Sequence, residues 1–248
     1  MKKEFARTER LFGREAMEKL ARSRVAVFGI GGVGGYAVEA LARSGVGALD
    51  LIDSDRISPS NLNRQLHALH STLGRPKVEA AAERVRDINP ACTVRCFPVF
   101  FLPETRGQFD FTQYDYVVDG IDTVSGKLAL IEAAREAGVP IICSMGAGNK
   151  TEASALRVAD LYETAVCPLA RILRKECRRR GIERVKVVYS EEKPLRPLEE
   201  SEEMPPEGRR ELPGSTAFVP AAAGLILAGE VVKDLIGFDR RGREEEAE

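Results

Sequence analysis

Residues 24–65, RVAVFGIGGVGGYAVEALARSGVGALDLIDSDRISPSNLNRQ, decide the fold of this 248-residue chain. A short apolar run is followed by a glycine turn at 29–35 and by an Ala/Leu-rich segment with helical spacing at 37–44. A second apolar run, at 48–52, is predicted to be a strand and ends at Asp53. This order of strand, glycine turn, helix, strand and acidic residue is typical of a dinucleotide-binding βαβ unit. The sequence therefore predicts a nucleotide site at the turn.

The chemistry of the turn residues supports this interpretation. Glycines let backbone amides approach a phosphate closely, and the helix N-terminus adds a favourable dipole for an anion. Asp53 stands where a carboxylate can accept hydrogen bonds from ribose hydroxyls. The predicted nucleotide contacts in this part of the chain are Gly29, Gly31, Gly32, Gly34, Asp53 and Asp55.

Polar and cationic residues after the second apolar run distinguish between nucleotides. Asn61, Arg64 and Gln65 follow closely, and Lys77 comes a little later. The turn largely holds the two phosphates of a dinucleotide, whereas a triphosphate carries further charge that must be neutralised during transfer. A solvated surface position would explain any one cation, but the whole set favours ATP over NAD.

An ordered series of motifs makes the chain similar to the ubiquitin-activating-enzyme-like (ThiF/MoeB) adenylating family, which includes bacterial activators of sulfur carriers. The shared motifs are RTERLFG at 7–13, the glycine turn, DSD at 53–55, SNLNRQ at 60–65 and GRPK at 74–77. Further details resemble the branch that dehydrates threonylcarbamoyladenosine in tRNA, at 146–150, 167–170, 187–190, 213–215 and 218–220. The resemblance covers nearly the whole chain except its acidic tail.

The resemblance implies an activity that needs ATP and Mg²⁺. A carboxylate of the tRNA nucleoside would attack the α-phosphate of ATP, and the adenylated threonylcarbamoyl group would then cyclise with net loss of water. Arg64 and Arg10 would neutralise the outer phosphates and Lys77 the inner ones. Arg10 would reach into the ATP site of a partner subunit, so the resemblance also implies a homodimer.

The metal assignment rests on two aspartates after an apolar run that ends at Val118. The resemblance points to Asp122 as the Mg²⁺ ligand, and a hard cation does prefer one or two carboxylates together with phosphate oxygens. Asp119 is interpreted instead as a cap for the helix that begins near Val124.

The alternation of strands and helices predicts one doubly wound, mostly parallel α/β sheet of the Rossmann type. A helical arm at 5–22 would precede it, and a C-terminal extension would complete the sheet. Further strands are predicted at 93–97, 116–118 and 139–143, and further helices at 76–88, 124–137 and 216–236. The single domain would divide into a nucleotide-binding core at 23–145, a substrate half at 146–236 with a mobile crossover at 190–216, and a disordered tail at 237–248.

Composition narrows the class of protein. A formal net charge of −1 gives no global attraction to nucleic acid or membrane, so a tRNA contact must be local. Five cysteines without a C-x-x-C pair count against structural zinc. The apolar segment 216–236 is interrupted by charged residues and is expected to be a buried helix, not a membrane span. Without an apolar leader, a cytoplasmic location with reduced thiols is expected.

A helix beginning at Cys167-Pro168 carries six cations within about three turns. Such a run is often only a solvated face, but with the family resemblance it favours a contact to the tRNA backbone. The candidate contacts are Arg171, Arg174, Lys175 and Arg178. Cys167 is expected to be a helix-start residue and not an acceptor thiol.

Three other functions compete with the tRNA-modifying enzyme. An activator of a ubiquitin-like sulfur carrier would need a thiol that accepts the carrier. An NAD-dependent oxidoreductase is disfavoured by Arg64 and Lys77, and a non-catalytic scaffold by the complete set of phosphate ligands. A cysteine desulfurase or sulfur-acceptor system is kept as a further partner.

Overall fold

Seven strands form one sheet in the computed structural model, which describes residues 3–199 and 212–239. The strands are β1 (Arg24–Phe28), β2 (Ala48–Ile52), β3 (Thr93–Phe97), β4 (Tyr116–Asp119), β5 (Ile141–Ser144), β6 (Leu156–Asp160) and β7 (Lys186–Ser190). Their order across the sheet is β3-β2-β1-β4-β5-β7-β6. Every neighbouring pair is parallel except β6 and β7, which are antiparallel. The predicted doubly wound α/β fold is therefore confirmed.

Both faces of this sheet are covered. The helices are α1 (Ala6–Phe12), α2 (Arg14–Arg22), α3 (Gly34–Arg43), α4 (Lys77–Ile88), α5 (Val124–Glu136), α6 (Pro168–Arg179) and α7 (Phe218–Ile236). The middle strands are continuous apolar runs because their alternate side chains enter different cores. In β1, Val25 and Val27 pack in the core formed with α3, α4 and α7, whereas Ala26 and Phe28 pack in the core formed with α5.

The contact between α7 and α3 is very close. A Cβ atom added to Gly224 of α7 would lie 2.2 Å from the carbonyl oxygen of Val33, the residue that precedes α3. Any larger side chain would push α7 away from the helix that follows the glycine turn. The described residues contain no helix with the length and apolarity needed to span a membrane, and α7 is a packed helix as predicted.

The structure corrects some boundaries. The arm predicted at 5–22 is not continuous, because Gly13, with φ of 86°, ends α1 and starts α2. The segment 100–113, for which no element was predicted, contains the short 3₁₀ helices Pro103–Gln108 and Phe111–Gln113. The strands β6 and β7 form the predicted C-terminal extension. Residues 200–211 of the proposed crossover and 240–248 of the proposed tail lie outside the described residues, and the division of the domain stays a prediction.

Candidate nucleotide-binding and catalytic site

A cleft of about 1100 Å³ opens at the carboxyl ends of the central parallel strands. This is where doubly wound sheets bind ligands, because the loops that follow neighbouring strands diverge there. Most of the nucleotide and metal ligands proposed from the sequence line it: Gly29, Gly31, Gly32, Asp53, Asp55, Asn61, Arg64, Gln65, Lys77 and Asp122. The fold thus brings together residues that are far apart along the chain.

The glycine turn depends on very close backbone packing. Gly29 has φ of 85°, and a Cβ atom added to it would lie 2.7 Å from the backbone of Gly120. A Cβ atom added to Gly34 would lie 1.8 Å from the carbonyl oxygen of Gly29. Gly34 is buried and does not line the cleft. Its place in the structure is that of a packing residue which lets α3 start directly beneath the turn.

Asp53 follows β2 and is tied to the glycine turn. Its Oδ2 atom accepts a hydrogen bond from the Ile30 amide at 2.7 Å, and its Oδ1 atom accepts one from the Asp55 amide at 2.8 Å. Burial raises the pKa of the Asp53 carboxyl, and the charge of Lys77 partly opposes this increase. An ionised carboxylate offers about four lone-pair sites, so both oxygens keep capacity to accept a ribose hydroxyl.

Lys77 is the first residue of α4, and its side chain is only 6% exposed. Its ammonium lies 2.6 Å from Asp55 Oδ2, and its backbone amide donates to the Asp55 carbonyl oxygen at 3.0 Å. A point charge held in a poorly hydrated wall attracts an anion more strongly than a solvated one. Asp55 itself repels phosphate, so its contribution to the site is to hold Lys77.

The loop before α4 is held by its own polar side chains. Asn61 Oδ1 accepts from the Ser58 amide at 3.1 Å, and Arg64 donates to the Ser60 carbonyl oxygen at 2.8 Å. Gln65 Oε1 is buried at the cleft wall with no hydrogen-bond partner in the described part of the chain. A buried acceptor without a donor is costly, which suits a ligand that supplies the donor.

The structure shows that the interpretation of Asp119 as a helix cap is wrong. Asp119 is fully buried and accepts hydrogen bonds from Lys127 Nζ at 2.8 Å and from the Ile121 amide at 3.1 Å. The residue at the N-cap of α5 is Thr123, without a side-chain capping bond. Burial raises the pKa of Asp119, and the charge of Lys127 opposes this effect. Asp122, in contrast, is exposed at the cleft.

The donor set at Asp122 suits a metal that is shared with a ligand. Within residues 3–199 and 212–239 there is no group of three or more His, Cys, Asp or Glu residues able to hold a metal ion. Mg²⁺ does not require such a group, because it usually takes one or two carboxylates together with phosphate oxygens and water. One exposed carboxylate at the edge of a cleft large enough for a nucleotide fits this mode of binding.

The loop 145–150, which follows β5, also lines the cleft. Asn149, with φ of 59°, donates from its amide to the Gly214 carbonyl oxygen at 2.7 Å and accepts at Oδ1 from the Gly214 amide at 2.6 Å. Its carbonyl oxygen accepts from the Leu195 amide at 2.7 Å. Asn149 therefore joins both described ends of the 190–216 segment to the cleft. The sequence reasoning missed this role, although Asn is a residue that tolerates positive φ.

The remaining predicted residues lie outside the cleft. Arg10 is exposed on α1 and does not line the cleft of its own chain. On α6, Arg174 is half-buried and donates to the Thr164 carbonyl oxygen at 2.8 Å, so it holds a neighbouring loop. Arg178 stacks on the Tyr162 ring at 5.2 Å, and Arg171 and Lys175 are exposed or half-buried at the surface.

The buried His67 gives a pH prediction. Burial, followed by the charges of Lys77 and Arg84, lowers its pKa from 6.5 to about 4. The folded state then binds fewer protons than the unfolded state between these values, so stability is lost as pH falls from 6.5 towards 4. We expect the free energy of unfolding to fall by up to about 1.4 kcal/mol for each pH unit in this window. Urea denaturation of wild type and His67→Gln at several pH values in this window measures the free energy of unfolding. An equal dependence of this free energy on pH in the two proteins would contradict the prediction.

Comparisons with known proteins agree with this geometry. A family model described as the ThiF family matches residues 5–247. A tRNA threonylcarbamoyladenosine dehydratase of Bacillus subtilis (strain 168) is 43% identical over 240 residues, which cover 94% of each chain. The solved structure of the E. coli tRNA N6-threonylcarbamoyladenosine dehydratase TcdA in complex with AMP has a TM-score of 0.85 at 36% identity, covering 94% of each chain. The same E. coli enzyme in complex with ATP gives 0.85 at 35% identity, again covering 94% of each chain.

Proposed function

This chain belongs to the ThiF family, and on that basis we propose that it is an ATP-dependent tRNA threonylcarbamoyladenosine dehydratase. The observation that carries the proposal is the cleft, where the glycine turn, Asp53, Lys77, Arg64 and Asp122 converge. Relatives that cover nearly the whole chain carry this activity in their names, and the E. coli relative has been solved with AMP and with ATP. The protein therefore binds ATP and acts on tRNA.

The reaction has two steps. The threonyl carboxylate of the modified nucleoside attacks the α-phosphorus of ATP, and the bond from that phosphorus to pyrophosphate breaks. A nucleophilic atom of the threonylcarbamoyl group then attacks the acyl carbon, AMP leaves, and the nucleophile gives up its proton. ATP becomes AMP and pyrophosphate, and the nucleoside loses one water. Both steps depend on positioning and charge neutralisation more than on an acid–base pair.

We propose the following roles for side chains that line the cleft. Asp53 accepts hydrogen bonds from the ribose hydroxyls, Lys77 neutralises the inner phosphates and Arg64 neutralises the outer ones. Asp122 would hold Mg²⁺, and the bound metal would screen the charge of the phosphates. The other glycine-turn and loop residues keep their amides and side chains directed at the nucleotide.

The protein acts as a homodimer in the cytoplasm, with Arg10 completing the ATP site of the partner subunit. The exposed position of Arg10 outside its own cleft supports this arrangement. A sulfur-transfer partner, such as a cysteine desulfurase system, stays an additional proposal that rests on the family resemblance alone.

The outer face of α6 is the proposed tRNA contact. Arg171, Lys175 and Arg178 are spaced by four and three residues, so they form one stripe on the helix. The N-terminal end of α6, at Cys167, Pro168 and Leu169, lines the cleft. Arg179 and Arg180 instead form ion pairs with Glu176 and Glu132. The stripe is therefore the part of the helix with charge available for phosphate.

Removing this stripe should weaken tRNA binding in a salt-dependent manner. For Arg171→Ala with Lys175→Ala, we expect the slope of log affinity against log salt to shrink by about one unit for each lost phosphate contact. The matched control is Arg179→Ala with Arg180→Ala, which removes two charges that are already paired within the protein. Fluorescence titration with tRNA at several salt concentrations gives both slopes. Equal changes in the two double variants would count against the assignment.

A substitution of Cys167 distinguishes a dehydratase from an enzyme that uses an acceptor thiol. The residue is buried before Pro168 and makes no side-chain capping bond. We expect Cys167→Ser to retain dehydration within about threefold, because an intramolecular nucleophile replaces the acceptor thiol of covalent catalysis. The rate of conversion of the tRNA nucleoside is the measurement. Complete loss in a folded variant would favour a carrier-activating enzyme.

The decisive experiment analyses nucleosides of treated tRNA by mass spectrometry. The tRNA is taken from cells that are unable to cyclise threonylcarbamoyladenosine, and it is incubated with the protein, ATP and magnesium. Loss of one water from that nucleoside, dependent on ATP, is the expected result. No change in the nucleoside, with ATP–pyrophosphate exchange only on addition of a carrier ending in Gly-Gly, would overturn the proposal.

A further inference from the structure

The interior beneath the cleft holds a buried ion pair for which the reaction above has no use. The side chains of Lys127 and Asp119 are both 0% exposed, and their charged atoms lie 2.8 Å apart. Lys127 also donates to the carbonyl oxygen of Ser144 at 2.7 Å. One ammonium group thus joins the end of β4, the first turns of α5 and the end of β5.

Each partner of Lys127 is connected directly to a loop that lines the cleft. Asp119 accepts the amide of Ile121, which belongs to the loop 120–123 that presents Asp122. Ser144 is followed by the loop 145–150, which also lines the cleft. The ammonium therefore fixes the starting points of two walls of the site at the same time.

The first of these loops also touches the glycine turn. The Gly120 amide donates to the Phe28 carbonyl oxygen at 2.7 Å, and Gly29 packs against Gly120 with no room for a side chain. A shift of Asp119 would therefore move the glycine turn and the loop of Asp122, and it would change the distance between them.

Stability alone does not account for such a pair. Removing two charges from water is expensive, and apolar replacements of buried ion pairs are often neutral or stabilising. A rigid, directional link between two loops is something that apolar packing supplies poorly.

We propose that Lys127 is a positioning residue for ATP-dependent adenylation, acting through Asp119 and Ser144 on the two loops that line the cleft. The inference rests on the proposed function. It assigns to Lys127 no contact with ATP, and it predicts a defect in the chemical step more than in nucleotide binding.

The test compares Lys127→Met with the double variant Lys127→Met, Asp119→Asn. The double variant leaves no unpaired buried charge, and the side-chain carbonyl of the introduced asparagine can still accept the Ile121 amide, so it stays interpretable where the single variant fails to fold. With tRNA that carries the substrate nucleoside, we expect the kcat of ATP–pyrophosphate exchange to be about 10²-fold lower in the double variant than in wild type. AMP affinity should change by less than about threefold, because the glycine turn and Asp53 still hold the nucleoside and phosphate.

A second readout does not depend on activity. Hydrogen exchange should accelerate by about tenfold or more at the amides of 120–123 and 145–150 in the double variant, and not elsewhere in the sheet. The matched control is Arg95→Met, which removes a partner of the fully buried Asp50 on β2; neither residue lines the cleft. This variant should alter neither ATP–pyrophosphate exchange nor hydrogen exchange at the amides of the two loops.

Two results would overturn the inference. One is a folded double variant with at least half of the wild-type kcat. The other is unchanged hydrogen exchange in both loops. A wild-type protein without any pyrophosphate exchange would instead contradict the proposed function, and the hydrogen-exchange comparison would then decide the inference by itself.

Discussion

Replacing Lys77 by methionine is expected to lower the rate of ATP-dependent adenylation by about 10²–10³-fold with the fold intact. The ammonium is held in the buried wall of the cleft, 2.6 Å from Asp55, before any nucleotide arrives. Such a preorganised charge needs no rearrangement when negative charge develops on the phosphates, and its loss is therefore expressed mainly in the chemical step. Methionine keeps most of the apolar stem of lysine.

The stability of this variant should change little. Asp55 is 60% exposed, so water can solvate its carboxylate once Lys77 is absent. The control is Lys186→Met, which removes a lysine paired with Glu230 and Asp234 outside the cleft. Pyrophosphate exchange and thermal unfolding of both variants give the comparison. A Lys77→Met protein with a rate within about threefold of wild type would remove this residue from the catalytic set.

A mixture of two inactive variants, Arg10→Ala and Arg64→Ala, is expected to recover about one quarter of the wild-type activity per site. In a symmetric dimer, random reassociation places the two variants together in about half of the dimers. If Arg10 acts in the partner's site, each mixed dimer has one site with both arginines and one site with neither. If Arg10 acts within its own chain, no site has both.

The control for this experiment mixes Arg64→Ala with Lys77→Met. Both residues line the cleft of the same chain, so every site in a mixed dimer lacks one of them and activity should stay absent. Dehydration of the tRNA nucleoside after dissociation and reassociation of the subunits is the measurement. Failure of the first mixture under conditions that demonstrably exchange subunits would refute the action of Arg10 in trans.

The first half of the fold was predictable because its sequence patterns are local. Apolar runs of strand length alternate with helical segments, and the glycine turn fixes how one leads into the next. The predicted strands at 48–52 and 93–97 coincide with β2 and β3. Residues that follow parallel strands at their carboxyl ends meet in one cleft, so the glycine turn, Asp53 and the polar residues after it could be assigned to one site from the residue pattern, whereas Asp122 was assigned from the family resemblance.

The features that the sequence reasoning missed depend on contacts between distant segments. Asp119 resembled a cap because it precedes a helix, whereas in the structure its carboxylate pairs with Lys127 in the interior. A usable pattern was present, since Lys127 lies within the otherwise mostly apolar helical run GKLALIEAA. The edge strand β6 pairs antiparallel with β7, although the whole of α6 separates the two strands along the chain. No tight hairpin turn joins these two strands, so no turn residues in the sequence indicate that they pair.

The packing of α7 on α3 couples nucleotide binding to the docking of a helix that lies far along the chain from the glycine turn. All the proposed ATP contacts have been synthesised once Asp122 is added, yet α3 and the turn before it still lack the surface supplied around Gly224. A nascent chain that ends before α7 carries every ligand for ATP without the helix that holds the turn against the sheet. ATP binding is therefore expected to stabilise chains in which α7 is docked on α3 over chains in which it is not.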